Sequence, residues 1–519
     1  MTRYFMVGKV CLWLLALSNS VAAGTVANRS CSLPVVDLGY EIHQAITLDD
    51  NGRYNFSNIR YAAAPVGELR FAAPSPPLKN RWTIQIGDEV RICPQAQPNW
   101  LNRNIFQGIQ HVLGPNGTIP PSFAGATSPL NEDCLFLDIV VPKKVFENAS
   151  SQKAPVIVWI YGGGFVNGIK SSSNSGLPGG LLDRARNDTV YVALNYRLGA
   201  FGFLAGSSFQ NVGGVPNAGL LDQRFALDWI QQNIHLFGGD ADRVTVIGES
   251  AGGGSILYQI TAYGGSRGPV PFRRAILQSP GTQPANPESF KEQSFNQFLD
   301  VLNVSSLAEA RQLPTEILIQ ANAEYIAGQP TGVLPFLPAH DGDFLPDEPA
   351  TLLAEGRFDK SVEIIVGSNT NDGVYFGDFE VSTDEEYLQW LRQVYPSIRP
   401  EDVDTIATTL YPPIFDGSQG YVDQTGRTAR FAQDILFQCN GLALAWAKGN
   451  KTFNYEFAYV TSFALIGQPT SPGNLDVPVY GPDGQILVLN ATETYMSVDS
   501  ELQQTRCSER SRILANLAL

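Results

Sequence analysis

The chain has 519 residues, 44% of them hydrophobic and 16% charged, a balance with ample material for a buried core. Its formal charge of −15 and pI near 4.8 exclude nucleic acid and anionic membrane surfaces as partners, because both repel an acidic protein. The 49 glycines and 34 prolines are scattered, which points to tight loops between buried elements.

The first 23 residues read as a secretion signal. Arg3 and Lys9 supply positive charge, Val10 to Leu17 form a short apolar core broken only by Cys11, and Val21-Ala22-Ala23 offers small residues for cleavage before Gly24. The apolar run falls short of the roughly 20 residues that span a bilayer, and no later segment reaches that length. Sequons at Asn28, Asn55, Asn116, Asn148, Asn187, Asn303, Asn450 and Asn490 agree with export. Beyond Cys11 the cysteines are Cys31, Cys93, Cys134, Cys439 and Cys507, an odd set that leaves one without a partner.

Apolar runs then follow in chain order. Trp100, Leu101, Ile105, Ile109, Val112 and Leu113 keep a rough helical period, which suits either a lid with an apolar face or a surface helix packed on the core. Val156 to Tyr161 and Val190 to Asn195 read as buried strands. A helix is expected from Gly219 to Ile234, closed by Gly238-Gly239. Val244 to Ile247, Ala275 to Leu277 and Val362 to Val366 are further strands. Continuous apolar strands with helices between them predict an α/β fold with a mostly parallel sheet covered on both faces. No linker divides it, so residues 24–519 are expected to form one domain.

Gly248-Glu249-Ser250-Ala251-Gly252 directly follows the predicted strand 244–247. A nucleophilic serine must project from a sharp strand-to-helix turn, and small flanking residues let the backbone bend there. Ser250 is therefore the candidate nucleophile. Tyr161-Gly162-Gly163-Gly164-Phe165 also follows a strand. Ester attack turns a carbonyl oxygen into an oxyanion that needs preorganised N–H donors about 3 Å away. The donors are assigned to Gly163, Gly164 and Ala251. No G-K-S/T or G-x-G-x-x-G context accompanies the glycines, which argues against a phosphate cradle.

Phe237-Gly238-Gly239-Asp240 through Gly248-Glu249-Ser250-Ala251-Gly252-Gly253 resembles the active-site signature of type-B carboxylesterases, cholinesterases and fungal-type lipases. Glu132-Asp133-Cys134-Leu135-Phe136-Leu137-Asp138-Ile139 resembles that family's second signature, and Asn58-Ile59-Arg60-Tyr61-Ala62 with Pro65-Val66-Gly67 its N-terminal pattern. The resemblance runs from about Cys31 to nearly the C-terminus. It implies an α/β-hydrolase fold acting without a cofactor on small-molecule or lipid-like carboxylic esters. It places Asp372, in Asn371-Asp372-Gly373, where the family usually carries its triad Glu. It also implies supporting roles for Ser279 and Glu249, and a disulfide between Cys93 and Cys134, with Cys31–Cys507 as a weaker pairing. No metal-ligand cluster is legible.

In this fold the triad runs serine, acid, histidine along the chain. The four histidines, His43, His111, His235 and His340, all precede Asp372, so none occupies the base position. Thr452 to Phe457 resembles the strand leading into the family's histidine loop, whereas Thr461 to Pro469 resembles a segment well beyond it. A stretch of a few tens of residues is therefore expected to be missing near 458–460. The reading is an esterase impaired by that loss; the alternative is a non-catalytic binding or adhesion protein of the same fold, or a defective splice product.

Overall fold

The computed structural model describes residues 33–113, 129–171, 178–396, 398–449, 451–457, 485–489, 494–498 and 501–517. The expected signal, Cys31, the sequons at Asn28, Asn116, Asn450 and Asn490, and the expected deletion near 458–460 lie outside the described residues. The strands are β1 (Val35–Asp37), β2 (Glu41–Gln44), β3 (Thr47–Leu48), β4 (Arg53–Arg60), β5 (Asn80–Gln85), β6 (Phe136–Pro142) and β7 (Ala154–Ile160), then β8 (Val190–Leu194), β9 (Gly239–Glu249), β10 (Arg274–Gln278), β11 (Glu363–Asn369), β12 (Phe453–Phe457), β13 (Gln485–Leu489) and β14 (Thr494–Val498).

Eleven of them form one sheet in the order β3-β4-β6-β8-β7-β9-β10-β11-β12-β13-β14, while β1, β2 and β5 form a small second sheet. The run from β8 to β13 is parallel throughout, and antiparallel pairs close both ends. All five residues of β8 are buried. Alternate side chains point to opposite faces of a strand, so both faces of the sheet are covered here. The predicted strands are therefore present, with β9 and β11 extending further than their apolar runs suggest.

The helix Ala218–Asn233 meets the expected span within a residue. Gly238, at φ 79°, ends the short turn after it. The helix Ala251–Thr261 is buried along its whole length, which small residues in its first turn permit. Burying one large aliphatic side chain contributes about 1.5–3 kcal/mol. Val156, Val158, Val192, Leu194, Val244, Val246 and Leu277, all essentially inaccessible, place the sheet in the core. A second cluster around Tyr387, Trp390, Tyr411 and Phe431 lies among the helices after β11.

The helix Asn99–Leu113 packs its first half inward. Trp100 and Ile105 are buried, and the Trp100 indole N–H donates to the Val333 carbonyl at 3.2 Å. Asn104 donates to the Gly377 carbonyl at 2.7 Å. This half is a packed surface helix.

Cys93 and Cys134 are bridged, as the resemblance implied. The expectation of Cys31–Cys507 is corrected: Cys507 is bridged to Cys439. The helix Glu501–Leu517 packs against the helix Cys439–Ala447 and brings the two Cα atoms within 5.0 Å, a distance a disulfide spans without strain.

Candidate active site

Five adjacent parallel strands end at the same edge of the sheet. Register pairs Ile160 of β7 with Gly248 of β9, Glu249 of β9 with Gln278 of β10, Gln278 with Gly367 of β11, and Asn369 of β11 with Phe457 of β12. The glycine loop, Ser250, Ser279 and Asp372 leave the carboxyl ends of these strands. Ligands of open α/β sheets bind in that crevice.

Ser250 joins β9 to the helix Ala251–Thr261 at φ 55°, ψ −124°, a conformation rarely held by a residue with a side chain. Three backbone bonds hold it there. Its N–H donates to the Gln278 carbonyl at 2.9 Å, while its carbonyl accepts from Gly254 at 2.9 Å and Gly281 at 2.8 Å. The close approach of the helix demands glycine at 252, where a Cβ would stand 2.1 Å from the Ile160 carbonyl oxygen.

The glycine loop lies against this serine, since a Cβ on Gly162 would stand 2.8 Å from Ser250 Cβ. Gly163 adopts φ 111°, where a Cβ would collide with the Asn167 carbonyl oxygen at 2.1 Å, so only glycine fits the turn. The backbone N–H groups of Gly163, Gly164 and Ala251 donate to no protein group among the described residues. The last belongs to the first turn of a helix, whose N–H groups favour negative charge.

Asp372 follows β11, and its carboxylate is fastened by its own loop. Asn369 donates from its backbone N–H at 2.9 Å and from its side-chain amide at 2.6 Å. Burial holds the Asp372 carboxyl above the ordinary carboxylate range, against the lowering effect of hydrogen bonds from Ser279 and Asn369, and the Glu456 charge adds to the rise. Ser279, at φ 44° and buried, donates its N–H to the Gly367 carbonyl at 2.6 Å.

Glu249 is open to the crevice but ringed by protein. Loss of hydration and the Asp372 charge push its carboxyl up to about 7.

No histidine meets Ser250 or Asp372 in a hydrogen bond or ion pair among the described residues. His43 is fully buried, bonded through Nε2 to the Ser57 carbonyl at 2.9 Å and facing Glu41 at 3.4 Å. His340 faces Glu348 at 3.4 Å. His235 is exposed at the end of its short helix, and the His111 side chain lies outside the described residues. Among the described residues there is also no cluster of potential metal ligands and no helix long and apolar enough to cross a membrane.

Some participants carry no sequence signal. Gln433 accepts from the Gly373 N–H at 2.6 Å and donates to the Asn369 carbonyl at 2.8 Å, clamping the acid loop from a distant helix. Glu456 accepts from Thr370 at 2.8 Å, and the half-buried Tyr455 bonds Gln278.

The sequence profile of the carboxylesterase family matches residues 43–502. The chain belongs to that family. Among curated relatives, the carboxylesterase patB of Penicillium expansum is 37% identical, with 92% of this chain and 96% of that protein aligned. Lipase 2 of Geotrichum candidum is 33% identical over 74% of this chain and 72% of its own length. A protein of Arthroderma benhamiae described as a secreted lipase is 35% identical over 63% of this chain and 64% of its own. The solved structure of Aspergillus niger EstA superposes with a TM-score of 0.76 at 25% identity, covering 94% of this chain and 99% of that one. The fold is that of the α/β-hydrolase esterases, and family and fold together assign this carboxylesterase-family chain to the carboxylic ester hydrolases.

Proposed function

We propose that this carboxylesterase-family chain is a secreted esterase that works through an acyl-enzyme on Ser250, and that it works weakly because its sequence carries no histidine after Asp372. Ser250 Oγ attacks the ester carbonyl carbon, and the N–H groups of Gly163, Gly164 and Ala251 hold the oxygen that becomes negative. The alcohol leaves, and water then hydrolyses the acyl-serine. Asp372 stands where the acid that orients a base belongs, and Ser279 and Glu249 support the site. Without the base, the oxyanion donors and substrate binding leave a residual acceleration of about 10³–10⁴ over water.

The observation that carries this reading is a strained serine set against three backbone N–H groups with no protein acceptor among the described residues. A dedicated binder has no need of that arrangement, which ranks a non-catalytic adhesion role second. The loss of an internal segment is supported by the Penicillium expansum alignment, whose 546 positions outnumber the 519 residues of this chain. The same reading makes residues 1–23 a cleaved signal and residues 24–519 one hydrolase domain, with the secreted lipase among the relatives as support. Its substrates are small-molecule or lipid-like esters. Hydrolysis of a short-chain activated ester by the purified chain, compared with Ser250→Ala, is the test. Slow turnover that disappears in the variant is expected; equal rates in the two proteins would refute an enzymatic role.

A further inference from the structure

We infer that Glu249 serves this chain as the general base for Ser250, acting through one bridging water. The inference rests on Ser250 being the nucleophile. The point where a Gly162 Cβ would stand lies 2.8 Å from Ser250 Cβ and 3.1 Å from Glu249 Oε2, so the carboxylate and the serine Cβ are at most about 6 Å apart. With Ser250 Oγ turned toward the carboxylate, one water bonds both groups. Glu249 is exposed at the end of β9, which admits that water, and no cation perturbs it among the described residues.

The groups facing Glu249 come from three other elements. They are Asp372 after β11, Tyr455 on β12 and Tyr196 after β8. None is a cation, and both phenols stay neutral because burial raises them. Desolvation, with the Asp372 charge second, raises the Glu249 carboxyl to about 7, which makes it a stronger base than an ordinary carboxylate and suits proton transfer near neutral pH. In the acylation step the water takes the Ser250 hydroxyl proton and passes one to Glu249. The Oγ–C bond forms as the carbonyl electron pair moves to oxygen. Collapse of that oxyanion breaks the ester C–O bond, and the leaving alkoxide regains the proton from Glu249 through the water.

The test is covalent labelling of the full chain by an organophosphonate with a p-nitrophenolate leaving group, which forms Oγ–P, releases p-nitrophenolate and needs no deacylation. The Ser250-dependent rate is expected to climb about tenfold per pH unit below 7 and then level. Glu249→Gln should flatten that profile and lower the plateau by roughly 10- to 100-fold, Glu249→Asp should retain the pH step, and His340→Gln should leave it unchanged. Labelling that depends on Ser250 with the same profile in Glu249→Gln overturns the base and leaves the nucleophile standing. Labelling indifferent to Ser250→Ala overturns both. Loss of the pH step in His340→Gln alone also overturns the assignment.

Discussion

Replacing Asp372 by Asn separates a site with a hidden base from one without. In an intact serine–histidine–acid triad this change disorders the imidazole and lowers turnover by about 10⁴. Here the carboxylate touches only Asn369 and Ser279 among the described residues, so none of the described imidazoles depends on it. Ester hydrolysis above pH 8 should therefore stay within about threefold of the parent. The structural cost is also bounded. The Asn369 backbone N–H, now 2.9 Å from Oδ2, loses a charged acceptor, a loss of about 1.5–3 kcal/mol. Against it stands relief of a carboxylate that burial already disfavours, as its raised pKa shows. The net change should be below about 2 kcal/mol, read as a melting shift of a few degrees. Removing the Asp372 charge also lowers the Glu249 carboxyl, so the pH midpoint of Ser250 labelling should move down. A fall of 100-fold or more in hydrolysis, with melting unchanged, would mean that Asp372 orients a base and would refute this account of the site.

Gly252→Ala should cost more than 3 kcal/mol or prevent folding, because its Cβ would stand 2.1 Å from the Ile160 carbonyl oxygen; soluble yield and thermal denaturation check it. Joint replacement of Cys439 and Cys507 by Ser opens a loop of 68 residues, a loss of roughly 4 kcal/mol by loop entropy, measurable by denaturant titration. Peptide mapping under non-reducing conditions should find the Cys439–Cys507 link in the parent. His340 is raised above its ordinary 6.5 by Glu348, against the lowering effect of burial, while Glu348 is held below its ordinary 4.5 by His340, against the raising effect of burial. The histidine's contribution is complete below 6.5 and lost as pH rises through its folded value; the glutamate's is complete above 4.5 and lost as pH falls through its own. The pair therefore stabilises most between about 4.5 and 6.5, and His340→Gln should remove that maximum from a plot of stability against pH.

Near-continuous valine and isoleucine runs between glycines were enough to reveal a buried parallel sheet, because strands covered on both faces have no polar side to interrupt them. The order of motifs along the chain likewise pointed to Ser250 as candidate nucleophile and to the candidate glycine donors, and showed the lack of a histidine after Asp372. These are local properties: a strand–turn–helix with Ser250 at its bend needs only its neighbours to be recognisable. The partner of Cys507 was not local, since it follows from two helices packing across a sequence separation of 68. Nor was the clamp that Gln433 places on the acid loop, because a glutamine in a helix looks the same whether it faces solvent or a backbone amide. The basicity of Glu249 was decided by the tertiary structure alone. Its carboxyl is ordinary in sequence, and only the convergence of β9, β11 and β12 sets it beside Asp372, where lost hydration and charge repulsion raise it.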